Sequence, residues 1–263
     1  MPAWKNLKAR LNGGETLLGC FLALGDPLAA EIMGNAGYDW ALIDLEHGAG
    51  DERLALLQMQ ALAATGAGSV VRVEGTARQR AHRVLDLGAE AIMFPRVDTA
   101  ADAAAAAAAM AYPPAGVRGV AFSNRAAVFG SEFRDYMRAT PDLLLTIVQI
   151  ESPAAVANAA DIAAEKGVDV LFVGPSDLSH SLGILSQFDH PDYVAAIDQI
   201  SAAAKSKGKH LGVLLPNPDH FGFYHGRGFR FIAAGNDGVL LNNAARALTG
   251  KLRGMLAEPG PRG

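Results

Sequence analysis

Five places in this 263-residue chain set an ionisable side chain at or near the end of an apolar run. Asp44, Glu46 and His47 follow Trp40–Ile43. Arg72 interrupts the run Val70, Val71, Val73. Glu151 follows Gln149 and Ile150. Asp177 follows Val170–Val173 across Gly174, Pro175 and Ser176. Asp237 follows Phe231–Ala234.

Glu151 and Asp177 are the candidate metal ligands. Two carboxylates with no His or Cys beside them suit a hard octahedral ion such as Mg²⁺ or Mn²⁺, which keeps positions open for water and a bidentate substrate. Taken singly, each also reads as a helix cap. His47 is the candidate base. A strand-end Asp44 can hold its imidazole in one tautomer, and Glu46 can serve in its place. A guanidinium inside an apolar strand must meet a carboxylate or face an anion. Arg72 therefore pairs with Asp44 or Glu74, or points at substrate. Gly174, Pro175 and Ser176 open a helix whose free N–H groups can hold a substrate carboxylate. A metal, an arginine, an imidazole and an anion nest together suit enolate chemistry on a 2-oxo acid. No lysine stands at a strand end, which disfavours a Schiff base.

These groups need a scaffold that brings strand ends together. Apolar strands are expected at Leu17–Leu22, Trp40–Asp44, Ser69–Val73, Ala91–Phe94, Leu143–Ile150, Val170–Val173, His210–Leu215 and Phe231–Ala234. Most are continuous apolar runs, as in parallel strands buried on both faces. Helical patterns lie between them: Pro27–Gly37, Asp51–Thr65, Ala77–Leu87, Thr99–Met110, Pro153–Lys166, Tyr193–Lys207, Pro218–Gly226 and a long one at Asp237–Leu256. Strand–helix repeats of this number predict a single (β/α)₈ TIM barrel over residues 1–256, with a long C-terminal helix and a flexible tail at 257–263. The segment 111–130 is long for a connection. It holds Arg118, Ser123, Asn124 and Arg125, and reads as a lid or specificity loop.

Composition narrows the class. Half the residues are hydrophobic and the net charge is −4, so there is no basic excess for nucleic acid. The one cysteine, Cys20, leaves no disulfide to form and reads as core. No apolar run approaches the length of a membrane span. The run Leu17–Leu24 is flanked by Glu15 and Asp26 and reads as a strand, not a signal core. A cytoplasmic protein is expected.

The motifs GYDWALIDLEHG (37–48), VRV (71–73), FPRVDTA (94–100), YPPAGVRGV (112–120), VQIES (148–152) and VGPSDLSHSLG (173–183) together resemble the HpcH/HpaI family of class II pyruvate-type aldolases. The resemblance spans nearly the whole chain. It implies reversible cleavage of 4-hydroxy-2-oxo acids to pyruvate, or a relative such as hydroxypyruvate, and an aldehyde, through a metal-stabilised enolate. It implies that Glu151 and Asp177 hold Mg²⁺, Mn²⁺ or Co²⁺, that His47 polarised by Asp44 is the acid/base, and that Arg72 steadies the enolate. Gln149, Gly174, Pro175, Ser176, Phe21 and Leu215 would line the substrate pocket. It also implies homohexamers with swapped C-terminal helices, Asp86 reaching a neighbouring subunit's site. Phe21 replaces a Trp of dicarboxylate-cleaving members and Ser176 a common Ala. Leu45 and Gly48–Gly50 alter the loop around His47. These departures touch the acceptor pocket rather than the enolate machinery, and the Ser176 hydroxyl suits a hydroxylated donor. The competing expectations are an acyl-CoA lyase of the citrate-lyase type and a non-catalytic oxo-acid-binding barrel.

Overall fold

The computed structural model describes residues 4–257. Its strands are β1 (Leu17–Leu22), β2 (Trp40–Asp44), β3 (Gly68–Arg72), β4 (Ala91–Phe94), β5 (Leu145–Ile150), β6 (Val170–Val173), β7 (His210–Leu214) and β8 (Phe229–Asn236). They pair in sequence order, all parallel, and β8 closes on β1. The predicted barrel is the observed one. Its helices are α1 (Leu7–Asn12), α2 (Pro27–Asn35), α3 (Glu52–Ala63), α4 (Arg78–Leu87), α5 (Ala100–Met110), α6 (Phe133–Leu143), α7 (Pro153–Ala157), α8 (Ala159–Ala164), α9 (Pro175–Ser181), α10 (Pro191–Ser206), α11 (Phe221–Gly226) and α12 (Asp237–Ala257). The expected tail, apart from Ala257, lies outside the described residues.

Two cores result. Side chains pointing into the barrel (Trp40, Leu42, Val70, Met93, Ile147, Phe172, Phe231) fill its lumen, and those pointing outward meet the helices. Because both faces of each strand are apolar, a polar side chain can survive only near an end. The N-terminal end of the barrel is plugged by α1, an element absent from the sequence expectations. Leu7 and Leu11, one turn apart, enter the lumen core. Lys8 pairs with Asp169 at 2.9 Å, and the backbone N–H of Lys5 donates to buried Glu90 at 2.7 Å. The lumen is tightly filled. A β-carbon on Gly19 would lie 2.1 Å from the Trp40 ring, and that ring is stacked on Phe231 at 4.0 Å. Gly19→Ala should therefore destabilise by about 3 kcal/mol through overpacking. A thermal midpoint equal to that of the parent chain would count against this packing.

Local sequence explains most boundaries. Asp26 caps α2 by accepting from the N–H groups of Leu28 and Ala29, with Pro27 at the first helical position. Thr99 and Asp102 form a capping box on α5. The strand expected from Leu143 starts at Leu145, because Leu143 ends α6. The helix expected over Pro153–Lys166 breaks at Asn158, whose amide donates to the Asp98 carbonyl at 2.8 Å.

The lid reading of 111–130 is corrected. The segment follows a helix and precedes β5, so it lies on the return side of the barrel, away from its own strand C-terminal ends. It is tied along α4. Arg118 and Asn124 donate to Asp86 at 2.9 and 3.1 Å, and Arg125 donates to the Leu87 carbonyl at 2.6 Å. Arg118 is fully buried between Tyr112 and Tyr136. It is a structural cation.

Candidate active site

Asp44 and Arg72 face each other across the β2–β3 register. The pair is bidentate: Arg72 Nε donates to Asp44 Oδ1 at 2.9 Å and Nη2 to Oδ2 at 2.6 Å. Both side chains are buried. Burial pushes the Asp44 carboxyl up, but the Arg72 hydrogen bonds and charge and two backbone donors outweigh it and hold it below the usual carboxylate range. Those donors are the N–H groups of Glu46 and His47, at 3.1 and 3.2 Å from Oδ1. Asp44 thus shapes the loop as well as pairing Arg72. The Arg72 guanidinium lies 5.3 Å from the Phe21 ring centroid, and its Nη1 is 3.1 Å from Glu46 Oε2. Of five guanidinium N–H groups, these contacts leave some free to meet an anion.

The expectation that Asp44 polarises the His47 imidazole is corrected. Asp44 meets His47 only through the backbone, because its oxygens are taken by Arg72 and two amides. The His47 side chain is 71% exposed, and the nearest carboxylate to Nε2 is Glu46 Oε2, at 3.8 Å. Glu46, the sequence alternative, is the acid beside it. Burial raises its pKa first. Asp44 and Asp177 add to the rise, against the opposing pull of Arg72 and His47.

Glu151 lies where β5 ends, buried. Its Oε1 accepts from the backbone N–H of Arg96 at 2.9 Å, and its Oε2 from Gln149 Nε2 at 3.0 Å. Burial, with Asp177 and Glu46 nearby, pushes its carboxyl up to about 7, despite the Arg96 N–H and Arg72. Asp177 stands in the first turn of α9, exposed. Its field reaches both Glu151 and Glu46, so the structure brings the two expected carboxylates into one cluster. Gly174 leaves room for this carboxylate: a β-carbon on it would lie 2.6 Å from Glu151 Oε2 and would push it aside. No side chain caps α9, so its opening N–H groups at Ser176 and Asp177 are not claimed by a cap. Leu215 is buried just past β7.

The donor set fits a divalent cation. Asp44, Glu46, Glu151 and Asp177 share one end of the barrel with one buried cation, Arg72. Gln149 Oε1 is buried with no hydrogen-bond partner. Among the described residues no three His, Cys, Asp or Glu are arranged as a complete metal cage. Two carboxylates with water and substrate as further ligands is the habit of a hard ion bound with its substrate. Two other expected positions lie apart. Asp86 is on α4, held to the long loop. Asp237 is buried and accepts from the N–H groups of Ala23 and Leu24, fastening β1 to α12. The Arg96 amide is the contributor that sequence reading missed, since nothing in its residue type signals a backbone donor.

Comparison with known proteins matches this architecture. The family model described as HpcH/HpaI aldolase/citrate lyase matches residues 17–244. The chain is 39% identical over 241 residues to a 5-keto-4-deoxy-D-glucarate aldolase of Klebsiella pneumoniae subsp. pneumoniae, covering 92% of this chain and 94% of that one. It is 40% identical over 245 residues to the protein of the same name from Salmonella paratyphi C, covering 93% and 94%. A crystal structure of an HpcH/HpaI aldolase/citrate lyase family protein from Burkholderia cenocepacia J2315 superimposes with a TM-score of 0.89 at 40% identity, covering 95% of this chain and 99% of that one. The chain belongs to the HpcH/HpaI aldolase/citrate lyase family and is a carbon–carbon lyase of the aldolase class.

Proposed function

We propose that the chain is a class II aldolase that makes and cleaves 4-hydroxy-2-oxo acids, with pyruvate or hydroxypyruvate as donor and an aldehyde as acceptor. The observation that carries this reading is the carboxylate pair Glu151 and Asp177 beside a buried guanidinium, Arg72, with negative charge in excess. Glu151 and Asp177 would hold Mg²⁺, Mn²⁺ or Co²⁺. The cation, when bound, supplies Lewis-acid polarisation of the 2-oxo group.

The chain's own residues account for the rest. In the cleavage direction a base takes the C4 hydroxyl proton, the C3–C4 bond breaks, and the aldehyde leaves. The electron pair passes to C3 and on to the 2-oxo oxygen. His47 Nε2, exposed at the mouth beside Glu46, is placed to take that proton. The free N–H groups of Arg72 donate to the oxo oxygen as its charge grows, and Asp44 keeps the guanidinium fixed so that little reorganisation is needed. Gln149 and Leu215 line the site, Phe21 underlies Arg72, and the N–H groups opening α9 receive the donor carboxylate. Ser176 adds a hydroxyl there that suits hydroxypyruvate. The relatives' name points to sugar-acid substrates of the 4-deoxy-5-keto type.

The test needs no knowledge of the aldehyde. With Mg²⁺ or Mn²⁺ present, the enzyme should exchange the methyl protons of pyruvate into heavy water. Chelation should stop the exchange and the same ions should restore it. Exchange that survives chelation, or pyruvate binding with no exchange, overturns the reading. Reductive trapping with borohydride would point to a Schiff base instead.

The same reading includes a cytoplasmic homo-oligomer, a hexamer by the family resemblance. α12 supports the assembly: Val239, Leu240, Leu241, Leu248, Leu252, Met255 and Leu256 are exposed along it. No helix among the described residues is long and apolar enough to cross a membrane, so that surface suits a protein partner better than a bilayer. In such an assembly Asp86 would serve a neighbour's site. A monomer by sedimentation at micromolar concentration would remove this part alone.

A further inference from the structure

β4 pairs with β5 as far as Phe94 and Val148, where the regular ladder ends. Beyond that point other bonds join the two chains. The Val97 N–H donates to the Gln149 carbonyl at 3.2 Å, and the Arg96 N–H to Glu151 Oε1 at 2.9 Å. Ser152 Oγ donates to Asp98 Oδ1 at 2.5 Å, and Asn158 Nδ2 to the Asp98 carbonyl at 2.8 Å. The loop 95–99 is thus fastened to the turn that carries Glu151.

One of these bonds carries a backbone cost. Arg96 has φ 49°, in the left-handed region, which is uncommon for a residue with a β-carbon. Relaxing to the ordinary region would reorient its N–H relative to the residues on either side. The surroundings must therefore hold the loop in place. Val97 contributes through a side chain buried between the strands and the helices. Asp98 is the polar anchor, two residues beyond Arg96. Its carboxylate is not spent on α5, which Thr99 and Asp102 already cap between them. Oδ1 instead takes the Ser152 hydroxyl at a length typical of a strong hydrogen bond to a charged acceptor. Ser152 is itself fixed, because the same oxygen caps α7 by accepting from the Ala155 N–H at 3.0 Å. From the other side Ser181, about one turn beyond Asp177 on α9, donates to the Glu151 carbonyl at 3.4 Å.

We propose that Asp98 is a positioning residue for the cation site: by gripping Ser152 it holds Arg96 in its left-handed conformation and so keeps the Arg96 N–H on Glu151. The inference rests on the reading of Glu151 as a metal ligand and deepens it. The N–H occupies Oε1 and fixes the direction of the carboxylate before any ion arrives. Asp98 touches neither the cation nor the substrate and acts only through the loop.

Calorimetric titration with Mn²⁺ tests it, with the thermal midpoint of each metal-free variant read alongside to show that the chain is folded. Asp98→Ala should weaken Mn²⁺ binding by about 10- to 100-fold, as when a group behind a metal ligand is removed. Ser152→Ala breaks the same hydrogen bond from the other side and should give a loss of the same order. Asp98→Asn keeps an oxygen for the Ser152 hydroxyl and should stay within about threefold of the parent. Adding Arg96→Gly to Asp98→Ala lets the backbone adopt positive φ without strain, and should recover most of the lost affinity. Parent-like affinity in Asp98→Ala or in Ser152→Ala overturns the proposal. Equal losses in Asp98→Asn and Asp98→Ala also overturn it, because the negative charge and not the hydrogen bond would then be what counts. So does a loss that Arg96→Gly leaves untouched, since Asp98 would then act other than through that backbone. The metal assignment fails separately, if Glu151→Gln binds Mn²⁺ as the parent does. Affinity lost in Glu151→Gln but kept in Asp98→Ala defeats only the positioning role.

Discussion

Glu151→Gln should yield a folded protein that no longer binds Mg²⁺ or Mn²⁺ tightly and turns over about a thousandfold more slowly. The factor follows from losing several kcal/mol of Lewis-acid stabilisation. Glutamine is nearly isosteric, and its carbonyl can still accept from the Arg96 amide, one of the two hydrogen bonds that Glu151 receives. What disappears is one of the two charges proposed to hold the cation. Calorimetric titration with Mn²⁺ reads affinity, and methyl-proton exchange reads turnover. Parent-like affinity in the variant would move the metal elsewhere and sink the assignment.

The same residue makes stability depend on pH and on the cation. Burial lifts both Glu151 and Glu90 from 4.5 to about 7. A buried acid with a raised pKa favours the folded state while it is protonated. Its contribution is complete below about pH 4.5 and is lost as pH rises through about 7. The metal-free protein should therefore melt at lower temperature at about pH 8 than at about pH 5. The Glu151 share is on the order of 3 kcal/mol. A divalent cation should restore stability at the upper end, and Glu151→Gln should flatten that share of the slope. A metal-free protein whose stability rises steadily over this range would contradict the burial of both acids.

Arg72→Ala should injure folding and catalysis together, and the two can be separated. Removing the guanidinium leaves Asp44 buried and unpaired, which costs about 3–5 kcal/mol. It also removes the proposed donor to the developing oxyanion, a loss of about 10²–10³ in rate. Adding Asp44→Asn removes the stranded charge and keeps an oxygen for the two loop amides. The double variant should regain much of the lost thermal stability and none of the lost rate. If activity per folded molecule returns with stability, Arg72 is a structural ion pair and the catalytic role fails. Arg72→Lys completes the series. It keeps the charge but not the fork that grips both Asp44 oxygens, so its rate should stay well below that of the parent.

Much of this molecule was readable along the chain. Strand positions showed in continuous apolar runs, because parallel strands covered on both faces leave no polar side to obscure them. Glu151, Asp177 and Arg72 stood out because a charged group beside or within such a run has few tolerable locations other than a strand end. Other features were hidden for equally physical reasons. α1 carries only Leu7 and Leu11 on its buried face, too short a pattern to separate from a loop. The 111–130 segment looked functional by length and polarity. Its position between a helix and the strand it feeds places it on the return side, and Arg118 is spent on Asp86 and two tyrosines. The His47–Asp44 pairing failed because three residues of separation permit contact without choosing the partner. Arg72, from the neighbouring strand in register, reached Asp44 first with a better geometry.

Sequence alone determined the architecture and the chemical alphabet. Apolar period and cap residues are local, and side-chain type sets which ions and protons a site can handle. Tertiary structure decided the pairings: Arg72 with Asp44, Glu46 beside His47, the Arg96 amide on Glu151, and the long loop against α4. Those choices depend on barrel register and closure, which bring together residues far apart in the chain, and burial sets the strength of each contact once they meet.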